Sequence, residues 1–423
     1  MLRAHTFLLV CLALFAGAAM AASPLPAAAD LDLATAESLW QRHNREVRLA
    51  REGVAAAEAD SVAAGQSPNP QFSISTTSIN PRTGIGGGSL SQKRVDSVLR
   101  LEQLVERGDK RELRQQVAGA MVEAAGRGLA DVQRQSLLQL RAAYWELRLA
   151  QERQAIAEES AGLFRRSVRA AEHRLKVGDV AGTEVARLRI EAGRAENEAR
   201  GAQADLERAR QSLAYLIGKE QEADGLRASE PWPALEGAVI DNGAPQAPTD
   251  VRPDVQAARA RVQAAEAARE LARAARTRDV AVGVQFEHYP PGNESPNNTY
   301  GLSLSVPLFV RHAYEGEIAR AEADLLGARI QEEQVRALAQ GETAQAASLL
   351  RAAVERRRQL ESGLLADAKR VATATEFAYV RGALGLLELL DARRTLRAVR
   401  LDAAALRADH AKALAAWQAA LGH

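Results

Sequence analysis

Long stretches of the chain carry small and apolar residues in alternating steps of three and four. Val185, Ala192, Ala199, Leu206 and Leu213 interleave with Leu188, Ala195, Ala202, Ala209 and Leu216. That spacing is the 3.5-residue period of a coiled-coil seam. It returns at Leu389, Leu396, Ala403, His410 and Trp417, with Ala392, Val399, Leu406, Ala413 and Ala420 between them. A third stripe runs through Ala36, Trp40, His43, Val47, Ala50, Val54 and Ala57. The seams are rich in alanine, so the predicted helices can pack closely. No proline occurs between Pro81 and Pro231 or after Pro307. Since proline in a helix interior costs about 3 kcal/mol, these two gaps can hold very long helices.

The two main seams are copies. A shift of 204 residues carries the seam after Val185 onto the seam after Leu389, Gly178 onto Gly382, and Glu184 onto Glu388. Val54–Ala59 likewise matches Val262–Ala267 at a slightly different shift. The chain therefore reads as an internal duplication, with a first repeat over 22–220, a linker over 221–252 and a second repeat over 253–423. Each repeat also holds two short segments of period two. These are Gln71–Ile79 and Val95–Gln103 in the first, and Val280–Phe286 and Tyr300–Val306 in the second. One apolar and one polar face suit either ordinary surface hairpins or the strands of a membrane barrel.

The first residues bear on that choice. A basic start, the apolar run Thr6–Ala19 and the small-x-small site Ala19-Met20-Ala21 predict an export signal over 1–21. The only cysteine, Cys11, lies inside it. No later run approaches a membrane-spanning helix, so membrane insertion requires a barrel. Four strands are too few to close one, because the smallest bacterial barrels use about eight. An open edge in lipid is not tolerated, so the membrane reading requires several copies to pool their strands.

Charge adds exclusions. With 55 basic and 54 acidic residues there is no footprint for nucleic acid. The histidines are scattered, with no HExxH, no carboxylate cluster at ligand spacing, and no nucleotide or nucleophile motif. Neither an enzyme nor a cofactor or metal site is expected. His410 lies on an apolar seam and reads as a packed residue.

The layout resembles the TolC-type outer-membrane efflux proteins over the whole mature chain. The matching pieces are Ser67-Pro68-Asn69-Pro70-Gln71, Glu106-Arg107-Gly108-Asp109-Lys110-Arg111, Arg252-Pro253-Asp254-Val255 and Ser305-Val306-Pro307-Leu308-Phe309. Leu99–Arg111 looks closest to the cobalt–zinc–cadmium resistance (CzcC-like) branch, except that Asp109 stands where many relatives have a second glycine. The resemblance implies a mainly α fold with a small β part: a duplicated helical tunnel below a homotrimeric barrel of twelve strands, four from each protomer. It implies a passive conduit in the outer membrane whose helices extend into the periplasm. Its partners would be a periplasmic adaptor and, through it, an inner-membrane RND pump, with divalent heavy-metal cations as cargo. Drugs or a type I secreted polypeptide are the alternative cargo, and a soluble periplasmic coiled-coil adaptor is the alternative class.

Two candidate sites follow. Val177, Gly178 and Asp179, and likewise Arg381, Gly382 and Ala383, interrupt the seams at equivalent places and look like the family's adaptor-docking tips. Glu388 and Asp391 share one face of the helix after the second tip. They fall where TolC-type channels carry acidic residues at the periplasmic constriction. The alternative is a solvated helix face with an Asp391–Arg394 pair.

Overall fold

The computed structural model describes residues 30–89, 92–235, 249–290 and 298–422. The predicted export signal lies outside them, as do part of the predicted linker and most of the loop between the last two strands. Strand β1 (Asp30–Leu31) leads into α1 (Leu33–His43) and α2 (Arg45–Ala64). Asp32 caps α1 by accepting from the Thr35 N–H at 2.7 Å. Asn44 breaks the two helices apart and caps the second. The third stripe passes through this break: Ala36, Trp40 and Val47 are buried, whereas His43 is exposed.

Strands β2 (Gln71–Thr77) and β3 (Asp96–Val105) form the first antiparallel pair. A tight corner at Gly108 and Asp109 then opens α3 (Lys110–Lys176). Both corner residues are left-handed, at φ 76° and 56°. A Cβ on Gly108 would meet Thr277 at 2.8 Å, so that glycine is required by space as well as by conformation. Asp109 takes its strained conformation for about 1 kcal/mol. Helix α3 runs unbroken for 67 residues, close to 100 Å at 1.5 Å per residue. It turns back as α4 (Gly182–Ile217), and a connecting segment carries β4 (Arg227–Ala228), paired parallel with β1.

The second half repeats the plan: α5 (Pro253–Ala274), strands β5 (Val280–His288) and β6 (Asn298–Ser305), then α6 (Glu315–Gln359). Here the copies diverge. A single π turn (Leu360–Leu364) separates α6 from α7 (Leu365–Val380), where the equivalent stretch of α3 is continuous. Helix α8 (Leu386–Ala420) closes the second hairpin.

The four long strands make one antiparallel sheet in the order β2-β3-β5-β6. Its register sorts side chains into two faces. Phe72, Leu101, Val284 and Leu302 align in one row, and Ile74, Leu99, Phe286 and Tyr300 in the next. This apolar face is exposed, with Leu302 at 88% and Tyr300 at 85%. An exposed apolar face several strands wide is unstable in water and suited to lipid. The other face carries Arg100, which pairs with Glu102 at 2.8 Å and donates to Ser303 at 3.0 Å. Glu287 on the same face accepts from Gln285 and Tyr289. Among the described residues both outer strands, β2 and β6, have an unpaired edge within one protomer.

The helical core is thickest where α1, α3, α4 and the connecting segment meet. Trp145 stacks on Trp232 at 5.5 Å and meets Tyr144 edge-on at 5.3 Å. The Tyr144 hydroxyl donates to Leu31 O and accepts from Glu230 N, fastening the start of the first repeat and the linker after it to α3. A matching clamp holds the second repeat. Arg252, 2% exposed, pairs with Asp254 and Glu342, and Arg134 of α3 donates to Ala419 O at the end of α8.

His410 lies in α8 beside the π turn and is fully buried. Its Nδ1 lies 2.9 Å from an Arg357 nitrogen. A guanidinium can only donate, so this nitrogen accepts and the ring is neutral. Arg357 also donates to Pro233 O and Glu361, which accepts from Arg407. Burial, and then the Arg357 charge, hold the His410 pKa below its ordinary 6.5. The unfolded chain therefore takes up a proton that the folded one refuses, and stability falls as pH drops below about 6.5. The loss is at most about 1.4 kcal/mol per pH unit until the folded pKa is reached. In His410→Gln, which keeps an acceptor and loses the titration, the thermal midpoint should fall less between pH 7 and 5 than in wild type. Parallel pH profiles would remove His410 from the acid response.

Candidate conduit tips and entrance

The two helical turns are built alike. At the first, Gly178 N donates to Leu175 O and Asp179 N to Arg174 O. At the second, Gly382 N donates to Tyr379 O and Ala383 N to Ala378 O. Each is a Schellman cap, which needs a left-handed residue after the last helical turn, and Gly178 and Gly382 supply φ values of 78° and 76°. A Cβ at either position would meet nothing within 4 Å, so conformation and not space demands glycine.

Side chains then set the tips apart. The Arg174 guanidinium bridges to Asp179 at 2.6 Å at the first, and Arg381 lies over the Phe377 ring at 4.3 Å at the second. Val177 and Val380 stand exposed at 69% and 78%. Tyr379 ties the two hairpins together by donating its hydroxyl to Glu184 at 3.2 Å. Burial, and then the Glu184 charge, push the phenol up, so it stays protonated and remains a donor.

Beyond the second tip, Leu386, Leu389, Leu390 and Ala392 are buried, while Glu388 and Asp391 are exposed. Glu388 lies in the first turn of α8 and folds back over Gly385, where the helix dipole favours its charge. Arg394 reaches Glu191 of α4 at 2.6 Å instead of Asp391. Arg393 takes Glu376 and Ser167. Among the described residues, Glu388 and Asp391 thus have no cation paired with them. Glu184, the counterpart of Glu388 in the first half, is engaged by Tyr379, and Arg187 stands at the position equivalent to Asp391.

Sequence reading missed the ladder that fastens α8 to its neighbours. Arg394 pairs with Glu191, Arg397 with Glu198, Arg400 with Glu159, Arg407 with Glu152, and Lys412 with Glu146. The recurrence of basic residues along α8 was visible, but their partners lie more than 190 positions away in the chain. Among the described residues no group of three or more His, Cys, Asp or Glu side chains is placed to hold a metal, and no helix is long and apolar enough to cross a membrane.

A lipid-facing sheet continuous with paired helical hairpins defines the protomer of a membrane channel. The chain belongs to the outer membrane efflux protein family, whose sequence profile matches residues 38–219 and 245–423. It is a channel protein of the outer membrane, with a periplasmic helical tunnel, and not an enzyme. It is 26% identical over 392 residues to the cobalt-zinc-cadmium resistance protein CzcC of Cupriavidus metallidurans, covering 89% of this chain and 87% of that one. The fold is shared with the solved structure of CusC at a TM-score of 0.75 and 19% identity, over 92% of this chain and 91% of that one. VceC of Vibrio cholerae gives 0.74 and 19%, over 92% and 95%.

Proposed function

We propose that this chain is the outer-membrane subunit of a tripartite efflux system that exports divalent heavy-metal cations through a passive homotrimeric conduit. The observation that carries the assembly is the sheet: four strands with an apolar face and two unpaired edges. In lipid each unpaired backbone group costs several kcal/mol, which closure of β2 of one copy on β6 of the next removes. Three copies give the twelve strands that the resemblance implies. The similarity to a cobalt-zinc-cadmium resistance protein supports the cargo. The unpaired carboxylates Glu388 and Asp391 support cationic traffic at the entrance.

Energy would come from an inner-membrane RND pump, reached through a periplasmic adaptor docked on the tips around Gly178 and Gly382. A deletion strain tests the whole reading. Loss of the chain should sensitise cells to zinc, cobalt and cadmium and leave their drug tolerance unchanged. The reverse pattern would replace metal with drug as the cargo. A monodisperse folded monomer in detergent would sink the assembly.

A further inference from the structure

The loop between β2 and β3 lies at the end of the sheet away from the helices. With the helices in the periplasm, it stands at the outer surface. Between Ile79 and Arg94 the sequence holds Arg82, Lys93 and Arg94 and no acidic residue. The loop is folded back on itself: Arg94 N donates to Ile85 O, Gly84 N to Asn80 O, and Arg82 N to the Asn80 side chain. Lys93 Nζ donates to Gly86 O at 2.9 Å. Arg94 lies against the same residue, because a Cβ on Gly86 would meet its Cγ at 3.3 Å. Lys93 and Arg94 therefore both pack against Gly86, Lys93 by its ammonium and Arg94 by its stem, and Gly86 is left-handed like its neighbours Gly84 and Gly88. Among the described residues the Arg82 and Arg94 guanidinium groups have no hydrogen-bond or ion-pair partner. Asp96, the nearest acid along the chain, accepts from Ser78.

Depth decides what meets these charges. Strand β3 has 10 residues, which at about 3.3 Å each and a tilt near 40° spans about 25 Å, the height of a barrel's apolar band. The loop thus begins where the hydrocarbon ends. Ile79 and Ile85 are exposed within it and can reach down to acyl chains. Uncompensated cations above an apolar belt face the headgroup layer, where the abundant anion is phosphate.

We infer that the β2–β3 loop binds the phosphate groups of an outer-leaflet glycolipid, with Arg82, Lys93 and Arg94 as the donors. The inference rests on the outer-membrane placement and on neither the cargo nor the pump. The probe is bis-phosphorylated lipid A, titrated into the full-length oligomer purified in neutral detergent and read by thermal midpoint and native mass spectrometry. Wild type should bind and be stabilised, with apparent affinity at least tenfold higher than for dephosphorylated lipid A and falling with salt. Arg82→Gln/Lys93→Gln/Arg94→Gln should lose that tenfold preference while keeping its lipid-free midpoint. Arg82→Lys/Arg94→Lys should retain most of it, which separates charge from folding. Equal binding of dephosphorylated lipid, or unchanged binding by the triple Gln variant, would overturn the inference. So would equal stabilisation by inorganic phosphate, which marks a free-anion site. A change in channel conductance in the triple variant with lipid binding intact would mean that the cations face the pore, and would overturn it too.

Discussion

Replacing Gly178 or Gly382 with glutamate is expected to abolish export while leaving the oligomer assembled. Both glycines hold left-handed φ values within Schellman caps. A residue with a Cβ takes that conformation at a cost of about 1–2 kcal/mol. Nothing lies within 4 Å of the position a Cβ would occupy, so no steric clash is added. The strain stays local, because the helices on either side are held by seams and by the Arg174–Asp179 and Tyr379–Glu184 contacts. In the proposed assembly the copies join at the sheet edges, at the other end of the molecule, so the oligomer should be unaffected.

Docking is another matter. The tips present Val177 and Val380 to solvent, and a carboxylate beside them would have to be desolvated in any apolar contact with an adaptor. Metal resistance in cells carrying either variant should fall to the level of the deletion strain, with the oligomer band unchanged on a detergent gel. Asparagine, which visits the left-handed region with less strain, should restore most of the resistance. Full resistance in both glutamate variants would mean that the glycines serve only to turn the chain.

The tips were legible in the sequence because glycine at a helix interruption carries its own physical reason, and the duplication supplied two copies at the same phase. The strands were legible for a similar reason: alternation at Val280–Phe286 and Tyr300–Val306 is a one-dimensional signal. The seam on α8 was seen only in part. Ala404, Ala408, Ala411, Ala415 and Ala419 are buried beside the seam residues. Helix α8 packs against α3 on one side and α6 and α7 on the other, so it buries two stripes. A heptad search reports one stripe and discounts the alanines between. The π turn at Leu360–Leu364 left no trace in composition. It lies where Arg357 and Glu361 make contacts with His410 and Arg407, and those partners are about fifty residues distant. The unpaired state of Glu388 and Asp391 was equally hidden. It depends on Arg394 choosing Glu191 of another helix over Asp391 of its own.

That choice makes the entrance testable. We propose that Glu388 and Asp391 form rings of carboxylates at the periplasmic constriction of the assembled conduit. Within one protomer both are exposed and neither is neutralised by a paired cation. Rings of unpaired carboxylates at a narrow point favour cations and exclude anions. In single-channel recordings across a salt gradient, wild type should show a reversal potential displaced toward that of the cation. The double variant Glu388→Gln/Asp391→Asn keeps size and hydrogen-bonding capacity but removes both charges, so its reversal potential should collapse toward zero. The difference should be largest in dilute salt. It should shrink toward 1 M, where the screening length is about 3 Å and fixed charges no longer reach across a pore. Single variants should give intermediate shifts, the larger from whichever ring stands closer to the axis. Glu184→Gln serves as the control, since that carboxylate is already held by Tyr379, and it should leave selectivity unchanged. An unchanged reversal potential for the double variant in dilute salt would take both carboxylates out of the pore, leaving them a solvated helix face.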